Sequence, residues 1–207
     1  MLLPQGEDSE YLSTRGVLLD RDGVINELAY FADVGLIDSP LNPDQFSLLA
    51  GVTEAIRTLN HLGFKVAVVS NQPAIAKGKM TEKLFAEIRS KMKKELEKEG
   101  AHLDAEYYCF HHPDAVKEEY KIDCECRKPK PGLLLKAKSD LGLDSSRSFS
   151  VGDSLVDIKA GKAAGFPTIL IGTMKCDLCR RMEEDAQPDH IAESLIKAVE
   201  IISGSDA

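Results

Sequence analysis

The chain has 207 residues, 43% of them hydrophobic and 29% charged, with a formal net charge of −8. That length suits one well-filled domain. The acidic balance offers no basic field to neutralise a run of phosphates, which excludes nucleic acid as the expected partner and leaves a small phosphorylated metabolite compatible.

Residues 1–14 are polar and acidic and read as a flexible tail ahead of one domain at 15–207. They hold no apolar core of signal-peptide length, and no stretch reaches the roughly 20 apolar residues of a membrane span. A cytoplasmic protein is expected, working as a monomer away from membranes. In that compartment the five cysteines read as thiols or metal ligands before disulfides.

An apolar run, Gly16 to Leu19, ends in Asp20-Arg21-Asp22-Gly23. A buried strand opening into a turn would set both carboxylates beyond its carboxyl end, where ligands bind in open α/β sheets. Two acids there can hold a hard cation, and one can attack an electrophile. A plain surface turn uses the same residue types. Residues 27–50, with Pro40 and Pro43 and no sustained period, read as a long structureless loop.

Val52, Ala55, Ile56 and Leu59 recur at helical spacing, and Leu62-Gly63 closes that helix. Residues 64–69 are a β-branched run that stops on Ser70-Asn71-Gln72-Pro73. Thr81 opens a long charged helix ending at Gly100, with 91–99 as its solvated face. Further strands are predicted at 105–110, 148–151 and 167–171, and helices at 131–141, 155–164 and 191–202. The alternation predicts an α/β fold, a parallel sheet with helices on both faces.

Chemistry then gathers at strand ends: Asp20 and Asp22, Ser70, and Gly152-Asp153, with Arg127-Lys128-Pro129 just ahead of a helix. In a parallel sheet such ends share one edge. Phosphoryl transfer asks for this inventory, because an anionic nucleophile approaches a phosphate only when Mg²⁺ and a lysine neutralise the charge. Singly, each residue has a plainer reading. Ser70 fits a turn, Lys128 a solvated charge, Asp153 or Ser154 an N-cap, and Asp157 a first-turn helix carboxylate. Their order, each behind a strand-like run, is what carries the signal.

Cys109-x-His111 and Cys124-x-Cys126 are separated by twelve residues. A Cys₃His set suits closed tetrahedral zinc, which would order the polar segment between them. The alternative is a core thiol at Cys109 and a surface imidazole at His111. Cys176 and Cys179 read as an ordinary pair of surface thiols.

Taken in order, Asp-x-Asp-Gly (Asp20, Asp22), Ser70, Lys128 and Gly-Asp-x-x-x-Asp (Asp153, Asp157) resemble the haloacid dehalogenase superfamily of aspartate-nucleophile phosphatases. The resemblance spans 16–172 and implies a Rossmann-like sheet. It also implies Asp20 as nucleophile and Asp22 as acid and base, with a pKa near the working pH. Ser70, Asn71, Arg127 and Lys128 would bind phosphate and substrate, and Mg²⁺ would sit among Asp20, the Asp22 carbonyl and Asp153.

Cys-x-His-His-Pro (109–113), Cys-x-Cys-Arg-Lys-Pro-x-Pro-Gly (124–132), and the runs 20–26 and 70–78 resemble one branch in particular. This is the zinc-containing histidinol-phosphate and heptose bisphosphate phosphatases, which lack a large cap domain. The resemblance implies a structural zinc that seats Arg127 and Lys128. The implied reaction is heptose 1,7-bisphosphate 7-phosphatase, with histidinol phosphate as the runner-up substrate. Two departures bear on substrate choice: Pro73-Ala74 stand where the branch has Ser-Gly, and the loop after Asn26 is longer and lacks Gly-Tyr-Val. A non-catalytic binding protein on the same fold would have lost Asp20, Asp22 or Asp153, and all three are present. A polynucleotide 3′-phosphatase shares the chemistry but not the acidic balance.

Overall fold

In the computed structural model, residues 14–172 and 186–205 are described. Strand β1 (Gly16–Leu19) leads through a hairpin, β2 (Ala29–Phe31) and β3 (Leu36–Asp38), to α1 (Val52–His61) and β4 (Lys65–Asn71). Then come α2 (Glu82–Lys98), β5 (Ala105–Cys109), α3 (Gly132–Leu141), β6 (Phe149–Gly152), α4 (Leu155–Ala163) and β7 (Thr168–Ile171). Strand β8 (His190–Ala192) and α5 (Leu195–Gly204) close the order.

All four residues of β1 are buried, as a strand paired on both edges and covered on both faces must be. It pairs in parallel with β4 on one side and β6 on the other. The six-stranded sheet runs β5-β4-β1-β6-β7-β8, every pairing parallel. The chain therefore winds outward from β1 in one direction and from β6 in the other. This is the doubly wound Rossmann-like order, with its switch point between β1 and β6.

The two-residue period of a strand divides the core. Val17 and Leu19 of β1 and Val66 and Val68 of β4 face Ile56 and Leu59 of α1, Ile88 and Met92 of α2, and Val199 and Ile202 of α5. Leu18, Ala67 and Val69 face the opposite way, onto Leu133, Leu134 and Ala137 of α3 and Ala160 of α4. Each fully buried Leu, Ile or Val side chain contributes about 1.5–3 kcal/mol. Helices α2 and α5 start on side-chain caps: Thr81 Oγ1 accepts from Leu84 N at 3.2 Å, and Ser194 Oγ accepts from Lys197 N at 3.4 Å.

Two expectations change. Residues 27–50 are not structureless, because β2 and β3 pair antiparallel within them, Ala29 opposite Asp38. Gly35, at φ 63°, takes the left-handed position at the tip. Both strands are short and largely exposed, so no buried face wrote a period into the sequence. The helix expected over 191–202 begins only at Leu195, and 190–192 extends the sheet as β8. Ser194 was the unread signal, since its cap stops helix from running earlier. The expected tail, Thr14 apart, and Cys176 and Cys179 lie outside the described residues. Among the described residues no helix is long and apolar enough to cross a membrane.

At the outer edge, Glu106 of β5 accepts from Arg89 Nε and Nη2, each at 3.0 Å, and from Tyr108 Oη at 2.7 Å. Burial opposes its ionisation, but the Arg89 and Tyr108 hydrogen bonds outweigh it and hold the carboxyl below its ordinary value. A depressed folded pKa stabilises above the unfolded value and loses that stability as pH falls through the folded one. Glu106→Gln is therefore expected to cost about 1 kcal/mol at pH 7, given the exposed Arg89 and Lys93. The gap from the parent protein should close under acid, as read by urea midpoints at pH 7, 5 and 3. A gap that persists unchanged at pH 3 would contradict this.

Candidate active site

At the switch point the loops after β1 and β6 leave toward opposite sides and open a crevice between them. Asp20 continues the β1 pairing, its N–H donating to Val151 O at 2.9 Å. Gly23, at φ 83°, lets the two loops touch, since a Cβ there would lie 2.3 Å from Asp153 Oδ2. Carboxylate oxygens of Asp20, Asp153 and Asp157 all fall within 4.8 Å of one another. They floor a cavity of about 260 Å³ together with Asp22 and Lys128, and Leu28 and Ile37 of the 27–50 segment wall it.

Lys128 reaches this floor from the segment ahead of α3. Its Nζ lies 2.8 Å from Asp20 Oδ1, 2.5 Å from Asp157 Oδ1, and donates to Val69 O at 2.8 Å. Burial works against the ammonium, yet the charges of Asp157 and Asp20 overcome it and push its pKa up. Asn71, expected on phosphate, lines the cavity but commits both ends of its amide to the Lys128 backbone. Its Oδ1 accepts from Lys128 N and its Nδ2 donates to Lys128 O, both at 3.0 Å. It fixes the lysine in place.

Asp157 is more than a helix-entry carboxylate. Oδ2 accepts from Ser154 N at 3.1 Å and from the Ser154 hydroxyl, completing the capping box of α4, while Oδ1 faces Lys128. Both oxygens are engaged in orienting neighbours.

The two leading acids differ. Burial first, then the charges of Asp157 and Asp22, push Asp20 up to about 6 from 3.8, with Lys128 pulling the other way. Asp22 sits among donors: Arg21, Asn26 Nδ2 at 3.0 Å and Gln72 Nε2 at 2.6 Å. Burial opposes its charge, but Arg21 and these hydrogen bonds win, holding the carboxyl below its ordinary value. The sequence expectation of a pKa near working pH is reversed in the free site. Ser70 is buried, its Oγ accepting from Gln72 Nε2 at 3.1 Å. Arg21 and Gln72 were missed as site residues. Gln72 was legible in principle, because two residues beyond Ser70 on an extended chain it shares that face.

Behind Lys128 lies the second cluster. Cys109 Sγ is 3.6 Å from Cys124 Sγ and 3.2 Å from Cys126 Sγ, and Cys124 is 3.1 Å from Cys126. His111 Nδ1 lies 3.3 Å from Cys126 Sγ and 3.8 Å from Cys109 Sγ. Zinc at about 2.3 Å from each sulfur would space them by about 3.8 Å, so the set fits that ion with small outward movements. Burial pushes the Cys109 and Cys126 thiols up; Cys124, against its own burial, is drawn down to about 7 by hydrogen bonds from Cys126, His111 and Cys109. Arg127 follows directly and donates from Nη1 to His111 O at 3.3 Å.

Residues 125–198 match the HAD-hydrolase-like family model. The chain is 41% identical over 160 residues to the D-glycero-β-D-manno-heptose-1,7-bisphosphate 7-phosphatase of Photorhabdus laumondii, covering 77% of this chain and 81% of that protein. For the protein of the same name from Pasteurella multocida the figures are 37% over 193 residues, 92% and 97%. The D,D-heptose 1,7-bisphosphate phosphatase of B. bronchiseptica, complexed with magnesium and phosphate, aligns with TM-score 0.77 at 28% identity, covering 93% of this chain and 99% of that one. A doubly wound sheet with this aspartate crevice at its switch point is that of a HAD-superfamily phosphatase, a phosphoric monoester hydrolase. Within that class, the chain belongs to the D-glycero-β-D-manno-heptose-1,7-bisphosphate 7-phosphatase family.

Proposed function

We propose that this phosphatase removes the 7-phosphate of D-glycero-β-D-manno-heptose 1,7-bisphosphate through an aspartyl-phosphate on Asp20. The observation that carries the reading is the pairing of Asp20 with buried Lys128 at the β1/β6 switch point, beside Asp153. An Asp20 oxygen attacks phosphorus, the bond from phosphorus to the sugar oxygen breaks, and Asp22 protonates that oxygen as it leaves. Water then attacks the aspartyl-phosphate, gives its proton to Asp22, and frees Asp20 and inorganic phosphate. The incoming phosphate brings negative charge that raises the proton affinity of Asp22, offsetting the donors that depress it in the free site. Ser70 and Lys128 hold the transferring oxygens. Arg127 supplies a second cation for the phosphate that stays.

The hard oxygen set fits Mg²⁺, with Asp20, the Asp22 carbonyl and Asp153 as its holders and Asp157 as support for Lys128. When bound, the ion would neutralise charge on the phosphoryl oxygens. Cys109, His111, Cys124 and Cys126 would hold a structural Zn²⁺. Clustered reduced thiols suit a reducing cytoplasm, where 15–207 would act as one catalytic domain and as a monomer.

The test is phosphate release from heptose 1,7-bisphosphate, heptose 7-phosphate and histidinol phosphate with Mg²⁺. The bisphosphate is expected to lead histidinol phosphate by about 100-fold in kcat/KM, the value of one well-placed charge-assisted contact. The reverse order would make this a histidinol-phosphate phosphatase, and release from none of them would sink the substrate assignment.

A further inference from the structure

The residue between the two acids sits in a turn, yet Arg21 is fully buried and among the largest side chains that are. Nε and Nη2 donate to Asp22 Oδ1 at 3.1 and 2.9 Å, and Nη2 donates to Oδ2 at 3.0 Å. Among the described residues the guanidinium finds no acceptor other than Asp22. Its carbon lies 5.7 Å from the centre of the Phe85 ring, so α2 backs its plane. A buried ion pair is a weak source of stability, since apolar side chains of similar volume often serve as well or better. Holding the fold together therefore does not account for Arg21. What it holds does.

Asp22 is gripped from three sides. Arg21 fixes it from one, Asn26 Nδ2 takes Oδ1 from a second, and Gln72 Nε2 takes Oδ2 at 2.6 Å from a third. Gln72 also donates to Ser70 Oγ, which ties this carboxylate to the end of β4. Asp20 has its own cation, Lys128. The two acids of one loop are thus seated by two separate buried cations, one on each.

We propose that Arg21 is a positioning residue for proton transfer, orienting the Asp22 carboxyl toward the leaving oxygen of the ester. The inference rests on the role given to Asp22 above. A misplacement of about 1 Å in such a group costs about 100-fold in rate. The cost should depend on the leaving group. A sugar alkoxide needs the proton, whereas p-nitrophenolate departs without it.

Single-turnover rapid quench measures phosphorylation of Asp20 from heptose 1,7-bisphosphate and from p-nitrophenyl phosphate. Arg21→Met is expected to slow the sugar reaction about 100-fold and the aryl reaction less than about threefold. Arg21→Lys keeps the buried charge without the two-pronged contact. It should show the same selectivity at about tenfold, and it serves if Arg21→Met does not fold. Equal losses on both esters, or no loss on the sugar, would overturn the positioning role. Asp22→Asn separates the two claims. If Asp22→Asn itself shows no ester-selective loss, the role of Asp22 fails; if it does while Arg21→Met slows both esters alike, only the Arg21 inference fails.

Discussion

Asp20→Asn should lower phosphate release by at least about 10⁴-fold, because the amide offers no nucleophile. The fold should survive and gain. Asp20 is pushed up to about 6 in the folded protein from an ordinary 3.8. A raised folded pKa contributes stability below the unfolded value and loses it as pH rises through the folded one. In Mg²⁺-free protein, Asp20→Asn should therefore match the parent near pH 4 and exceed it above pH 6, by on the order of 1 kcal/mol given the coupling to Lys128. Phosphate release and thermal unfolding on the same samples check both halves. Activity within tenfold of the parent would end the nucleophile assignment, and a variant less stable at pH 7.5 would contradict the electrostatics.

Loss of the zinc set is the second large effect. Cys124→Ser, or a strong chelator, should remove about one zinc per chain and destabilise the protein by more than about 3 kcal/mol, because the proposed zinc would couple folding of this segment to metal binding. The polar residues between His111 and Cys124 pack little apolar surface of their own. Activity should fall with the structure, since Arg127 leaves Cys126 directly and donates to His111 O. Mg²⁺ affinity should change little, as its proposed holders lie in the loops after β1 and β6. Metal analysis and thermal denaturation read the two parts. Zinc-free parent protein of undiminished stability would refute the site.

The sequence exposes this fold wherever burial is two-sided. β1, β4 and β6 are short apolar runs with polar ends, and their alternation with amphipathic helices was enough to place the sheet and gather Asp20, Ser70, Lys128 and Asp153 on one edge. The hairpin β2–β3 escaped because its residues face solvent and carry no period. β8 escaped because its apolar residues run on into those of α5, and only Ser194 marks the break. At the site, residue types point to the proposed reacting groups but not to the side chains that support them. The hold of the Asn71 amide on the Lys128 backbone is likewise invisible to its motif. Arg21 looks like a surface turn residue until burial is known. Asp157 divides its two oxygens between Ser154 and Lys128, which spacing alone does not reveal.

The central claim is a phosphoryl group carried on Asp20. It is tested most directly by quenching the enzyme in acid during turnover of labelled heptose 1,7-bisphosphate, reducing with borohydride, and sequencing the peptide around position 20 by mass spectrometry. Homoserine in place of aspartate at position 20, absent from Asp20→Asn, is the predicted result. Steady phosphate release with aspartate unchanged at position 20 and the label on another residue, or on none, would contradict it.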